Sequence, residues 1–185
     1  MFIIPSQYTS LKFVRPISWE AIFEIWKKGE ASQAAWKKHW EERGFASWDE
    51  WRTNYVSPLE PEKLEWYLFE IEKPLEDVPN YCGVPSQNWI KNAYRGKKTK
   101  KLKDLLGLPI IRDNDKIAAI QKSFPKTTIL TGLVHEEAII LYKGMHRACA
   151  LAGWNKKAPP KAKVFIALAK WKGKEIPLVG SGQKK

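Results

Sequence analysis

Apolar positions in the first third of the chain recur at helical spacing. Trp19, Ile22, Phe23 and Trp26 fall at i, i+3, i+4 and i+7. With Ser18 as N-cap they predict a helix over Trp19–Lys28 that Gly29 ends. A second helix is expected from Ser32 to Arg43, with Trp36 and Trp40 one turn apart and Gly44 just past its end. Ser47-Trp48-Asp49-Glu50 has the capping-box pattern, Ser at N-cap and Glu at N3, and opens a third helix to about Asn54. Pro58 and Pro61 punctuate the chain. Beyond them Leu64–Ile71 reads as a strand, and its imperfect alternation suits burial on both faces. Pro74, Pro79 and Pro85 hold an irregular stretch before a short helix over Ser86–Tyr94. Asp113–Phe124 reads as a helix with Ile117, Ile120 and Phe124 inward, ended by Pro125. Thr127–Leu130 and Ala138–Tyr142 read as strands around a turn over Thr131–Glu137. Arg147–Ala152 reads as a helix closed by Gly153, and Val164–Ala169 as a β-rich run. No internal repeat is visible. The pattern predicts an α+β protein in two parts: a Trp-rich helical segment over 1–58 and a mixed domain over 59–179. A frayed tail follows at 180–185.

Composition narrows the class. Of 185 residues, 44% are hydrophobic and 28% charged, too apolar for a disordered chain. The length allows one core of roughly 120 residues with something smaller attached. No run reaches the ~18 consecutive apolar residues of a membrane span. Met1-Phe2-Ile3-Ile4-Pro5 lacks the basic start of a signal peptide. Cys82 and Cys149 form neither a disulfide framework nor a zinc spacing. The expectation is a soluble, cytoplasmic protein with reduced thiols and no membrane association. Six of the ten tryptophans lie within the first 51 residues. Helical spacing favours core packing for them, and a protein-partner or stacking surface is the alternative. A helix–turn–helix reading fails because the segment is neutral and no helix carries a basic reading face.

Charge is unevenly spread. Residues 1–60 are net neutral and residues 61–90 are net −4. Residues 91–185 hold 22 Lys/Arg against 6 Asp/Glu. The densest patch contributes Lys91, Arg95, Lys97, Lys98, Lys100, Lys101 and Lys103, with Tyr94 and Trp89 interleaved. Basic side chains beside a stacking ring suit phosphates plus a base, so this patch is the candidate DNA or RNA contact. Gly96 and Thr99 point to a mobile, exposed loop there. A plain solvated surface has the same composition.

The segment that carries chemistry is Ile139–Gly153: strand, glycine turn, helix. Gly144 permits a tight turn and close approach by a ligand. The first amides of the next helix favour an anion. Arg147 offers a planar fork, Lys143 adds charge, and His146 can donate to phosphate or move a proton near neutral pH. Lys143, Gly144, Met145, His146 and Arg147 therefore form a candidate phosphate cradle, with His146 the candidate catalytic group. No dedicated metal set is present. His135-Glu136-Glu137 lacks the second histidine of a zinc helix, and His39 reads as surface or core.

Gly144-Met145-His146-Arg147, followed by an alanine-rich helix and Gly153, resembles the Gly-x-[His/Arg]-Arg turn of the ParB/sulfiredoxin-like superfamily. The order of elements from about Leu64 to Leu168 is similar too. The resemblance implies a small mixed sheet with helices and a turn that binds nucleotide phosphates. The ligand would be a nucleotide tri- or diphosphate (ATP, ADP or CTP), with any Mg2+ arriving on it. Activities in the family include NTP hydrolysis, phosphoryl transfer and sulfinic acid reduction. Sulfiredoxin chemistry is excluded here, because Met145 stands where that enzyme has its nucleophilic cysteine. Sequence-specific centromere binding is not expected, since His146 replaces an arginine and the chain ends soon after Leu168. A kinase would need a carboxylate as base. Glu76, Asp77, Asp113, Glu136 and Glu137 are all available, and the sequence does not choose. A basic DNA- or RNA-binding module without catalysis is the alternative reading.

Overall fold

Three local signals in the first third act as the sequence suggests. In the computed structural model, which describes residues 4–180, the Ser18 side chain caps α1 (Trp19–Glu30) by accepting from the Ala21 amide. Gly44 closes α2 (Ala34–Glu41): its amide bonds the Glu41 carbonyl and the next amide, Phe45, bonds that of Trp40. The Ser47 hydroxyl accepts from the Glu50 amide at the start of α3 (Trp48–Val56), while the Glu50 carboxylate reaches back to the Ala46 amide. Gly29 does not stop α1. A glycine inside a helix costs only about 1 kcal/mol, and the helix runs one residue past it to Glu30, which meets two cations in the interior.

The remaining elements follow in order. β1 (Leu11–Ile17) precedes α1, and β2 (Trp66–Ile71) follows two short 3-10 turns. Then come α4 (Pro74–Asp77), α5 (Gln87–Trp89) continuing as a π-helical turn over Ile90–Tyr94, α6 (Pro109–Arg112) and α7 (Asp115–Lys122). β3 (Thr127–His135), β4 (Ala138–Lys143), α8 (Met145–Ala152) and β5 (Lys163–Lys170) complete the chain. The fold is α+β, with eight helices among the described residues and one open five-stranded mixed sheet. Its order is β1-β2-β5-β3-β4, with only β3 and β5 parallel.

Side-chain alternation assigns the two faces. Thr131 accepts from the Trp26 indole at 3.0 Å and Trp66 meets Trp19 at 5.6 Å, so α1 covers one face. Thr128, three residues earlier in β3, points the other way and accepts from Arg147 of α8. The division drawn near residue 58 is crossed by the β1–β2 ladder and by one continuous core from Trp19 to Val179. Trp19, Trp26, Trp48 and Trp51 are buried, while Trp36 and Trp40 are only partly covered.

Several sequence expectations need correction. β1 was invisible because it is an exposed edge strand carrying Pro16 and a register shift, with little apolar alternation. The expected turn over Thr131–Glu137 shrinks to Glu136-Glu137, with Glu136 at φ 51°. Gly132 mimics a turn glycine but lies within β3. A Cβ there would sit 2.8 Å from the Ile140 carbonyl oxygen. The helix expected over Asp113–Phe124 is trimmed to α7, because the Asn114 side chain accepts from the Lys116 and Ile117 amides and caps it at Asp115. The basic segment is pinned at its far end. Gly83 donates to the Lys100 carbonyl, Leu102 donates to that of Tyr81, and Leu102 and Leu105 are fully buried. No described helix is long and apolar enough to cross a membrane. Of the tail expected over 180–185, residues 181–185 lie outside the described residues, as do residues 1–3 of the N-terminus.

Candidate functional site

β4 ends at Lys143, and the chain must reverse at once to lay α8 on the sheet. Gly144 makes that turn at φ 92°, in the left-handed region where a side chain is strained. Space forbids a side chain as well, since a Cβ would stand 2.5 Å from Leu130 Cδ2. Alanines then let α8 seat closely: Ala148 and Ala150 are completely buried.

The turn opens into a cleft of about 1020 Å³, at the end of the sheet where β3 begins and β4 finishes. All five residues of the expected cradle, Lys143 through Arg147, line it. The opposite wall comes from the N-terminal helices: Trp26, Glu30, Trp36, His39, Trp51 and Arg52. Ile110, Ile120 and Ile129 form an aliphatic shelf on a third side. Four basic side chains line the cleft, namely Arg43, Arg52, Lys143 and Arg147, against one carboxylate, Glu30.

That carboxylate is already committed. Arg52 grips it with Nε at 2.8 Å and Nη2 at 2.7 Å, Trp48 Nε1 donates at 3.3 Å, and Lys143 Nζ makes a further ion pair. The Arg52 guanidinium is boxed by Trp51 at 4.0 Å, Tyr55 at 4.8 Å and Trp36 at 5.4 Å. Burial by itself would raise the Glu30 carboxyl, but Arg52 and Lys143 outweigh it and hold it below its ordinary range. Lys143 fares differently. Burial, helped by Arg52, outweighs its attraction to Glu30 and pulls its ammonium down to about 7.

The remaining groups are less engaged. Arg147 donates to the Thr128 hydroxyl, and no carboxylate among the described residues pairs with it. Burial lowers its pKa. His146 lies 6.1 Å from the Trp89 ring; burial first, then Lys116, lowers its pKa and favours the neutral imidazole. Met145 is buried and lines the cleft, leaving no thiol at that position. Cys149 is buried one turn further on, its thiol pushed up to about 12 by burial.

None of the five carboxylates weighed from sequence lines this cleft. Asp77 is buried elsewhere, accepting from Ser10, and Asp113 pairs with Arg112. Glu136 and Glu137 border a separate, shallower pocket of about 580 Å³ beside Gln7 and Lys174. Glu30 and Arg52 were missed. One signal was available: Glu30 continues the stripe Trp19, Phe23, Trp26, an acid on an apolar helix face. Among the described residues no group of three His, Cys, Asp or Glu could hold a metal ion.

Of the basic segment, Lys91, Arg95, Lys97, Lys101 and Lys103 are exposed. Lys98 and Lys100 are partly covered, and Lys98 pairs with Glu175. These residues lie outside the cleft, although α5 brings Trp89 to its rim. The chain matches no protein family, and no curated protein or solved structure is significantly similar to it.

Proposed function

We propose that the cleft binds a nucleotide, with its phosphates at the Lys143–Arg147 turn. One observation carries the reading. The five turn residues line a cleft whose cations exceed its single carboxylate, and that carboxylate is spent on Arg52 and Lys143. Arg147 is left without an anionic partner, and a ligand phosphate would supply one. The first amides of α8, free at the turn, add donors. Small-molecule sites commonly run to about 300–1,000 Å³, so this cleft accepts more than a bare phosphate. The same turn, with the mixed sheet around it, supports the resemblance to the ParB/sulfiredoxin-like superfamily as part of this proposal. His146, favoured neutral, is the group able to take a proton in a phosphoryl-transfer or hydrolysis step. Mg2+ would enter with the nucleotide. Titration calorimetry with ATP, ADP and CTP tests the reading. Micromolar to millimolar binding is expected, weakened roughly tenfold or more in Arg147→Ala, since a hydrogen bond to a charged group is worth about 1.5–3 kcal/mol. No heat with any nucleotide at millimolar concentration overturns it.

A second reading, contact with DNA or RNA, is favoured by the exposure of Lys91, Arg95, Lys97, Lys101 and Lys103. Its mark is affinity that falls steeply with salt.

A further inference from the structure

The cleft has a tryptophan that is only partly covered. α2 buries none of its residues fully, and Trp36 packs at the core's edge, beside the Arg52 guanidinium, without being enclosed. It stands half-buried in the cleft wall, 5.5 Å from Trp51 and 5.6 Å from His39. Lys116 of α7 sets its ammonium 5.2 Å from the Trp36 ring centre. Lys116 is an exposed, flexible side chain, the kind that yields its place to a ligand. The shelf of Ile110, Ile120 and Ile129 lines the same cleft. Phosphate does not need any of these surfaces, but a flat ring does: it stacks on an indole and rests against aliphatic side chains.

Resting on the reading above, we propose that Trp36 is the ring platform of the bound nucleotide. The N-terminal helices would then read the base while the Lys143–Arg147 turn holds the phosphates. The ligand class is a nucleoside phosphate, as against inorganic phosphate or a sugar phosphate. Lys116 leaves the indole when the base arrives and becomes free to meet the phosphate chain. His39 adds selectivity. It lies 5.6 Å from the Trp36 ring, and burial, then Arg43 and Arg52, lower its pKa and favour the neutral ring, whose nitrogen can accept from an exocyclic amine.

The full chain and its Trp36→Ala and Trp36→Phe variants are titrated with a nucleoside triphosphate and, in parallel, with inorganic tripolyphosphate. The wild-type protein should bind the nucleotide about ten- to a hundred-fold more tightly than tripolyphosphate. Trp36→Ala should erase that margin and leave tripolyphosphate binding unchanged, and Trp36→Phe should keep most of it. Near-ultraviolet circular dichroism and thermal melting verify that each variant is folded. Equal wild-type affinity for the two ligands overturns the ring platform and leaves the phosphate turn standing. So does an unchanged margin in Trp36→Ala. Failure to bind either ligand overturns both proposals.

Discussion

Two arginines border the same cleft and are built to opposite ends. Arg52 is 6% exposed, held by both oxygens of Glu30 and enclosed by three aromatic rings. Arg147 hydrogen-bonds a threonine hydroxyl and feels Glu30 only from beyond ion-pair distance. Both are costly to desolvate. For Arg52 the cost is offset inside the protein, by carboxylate and π-faces. For Arg147 the offset is missing and must come from water or a ligand. The arginine of the N-terminal wall is thus neutralised inside the protein, whereas Arg147 of the turn has no carboxylate within ion-pair distance among the described residues.

The contrast breaks most sharply at Glu30. Glu30→Gln removes the anion between Arg52 and Lys143, whose side chains are only 6% and 12% exposed. Removing one partner of such a buried set costs about 3–5 kcal/mol. Urea unfolding should show a loss of that order, whereas Arg147→Ala should lose less, about 1.5–3 kcal/mol, the worth of one hydrogen bond with a charged member. Equal losses for the two variants would erase the distinction between a structural and a ligand-directed arginine.

Gly144→Ala comes next. The left-handed backbone and the 2.5 Å approach to Leu130 both oppose a methyl group. About 1–3 kcal/mol of stability should be lost on denaturation. Nucleotide affinity should fall with it, because Lys143 and Arg147 would be re-aimed. A variant as stable as wild type but unable to bind would place the ligand's phosphate directly on the glycine.

Much of this layout was legible in the sequence, for identifiable reasons. Helix caps act over three or four residues, so Ser18, Gly44 and Ser47 could be read locally. So could the strand–Gly–helix turn, whose geometry is set by contiguous residues. What sequence could not supply was pairing at long range. β1 is defined by its ladder to β2, some fifty residues away, and its own pattern is nearly all exposed. Glu30 meets Lys143 across 113 positions. The reading of six helical tryptophans as core suits Trp19, Trp26, Trp48 and Trp51. Trp36 and Trp40 pack at the core's edge and stay partly covered, because periodicity reports which face a residue occupies but not how fully anything covers that face.

The smallest effect is the most diagnostic of how the two walls communicate. Lys143 belongs to the turn by sequence and to the Glu30–Arg52 pair by contact, and its pKa is pulled from 10.5 to about 7. In the unfolded chain the amine regains its ordinary value. Between pH 7 and 8.5 the unfolded state therefore binds more protons than the folded one, and stability should rise with pH. Above about pH 9 the raised Cys149 thiol opposes this, because the unfolded thiol loses its proton first. The slope below that point should approach at most about 1.4 kcal/mol per pH unit and should vanish in Lys143→Met. Ligand binding should bend the other way. A phosphate beside the amine favours its charged form, so nucleotide affinity should fall as pH rises through 7, with a proton taken up on binding. Calorimetry in two buffers of different ionisation enthalpy reads that proton directly. Binding at pH 7.5 without proton uptake would mean that Lys143 serves Glu30 alone, and that Arg147 meets the phosphate without it.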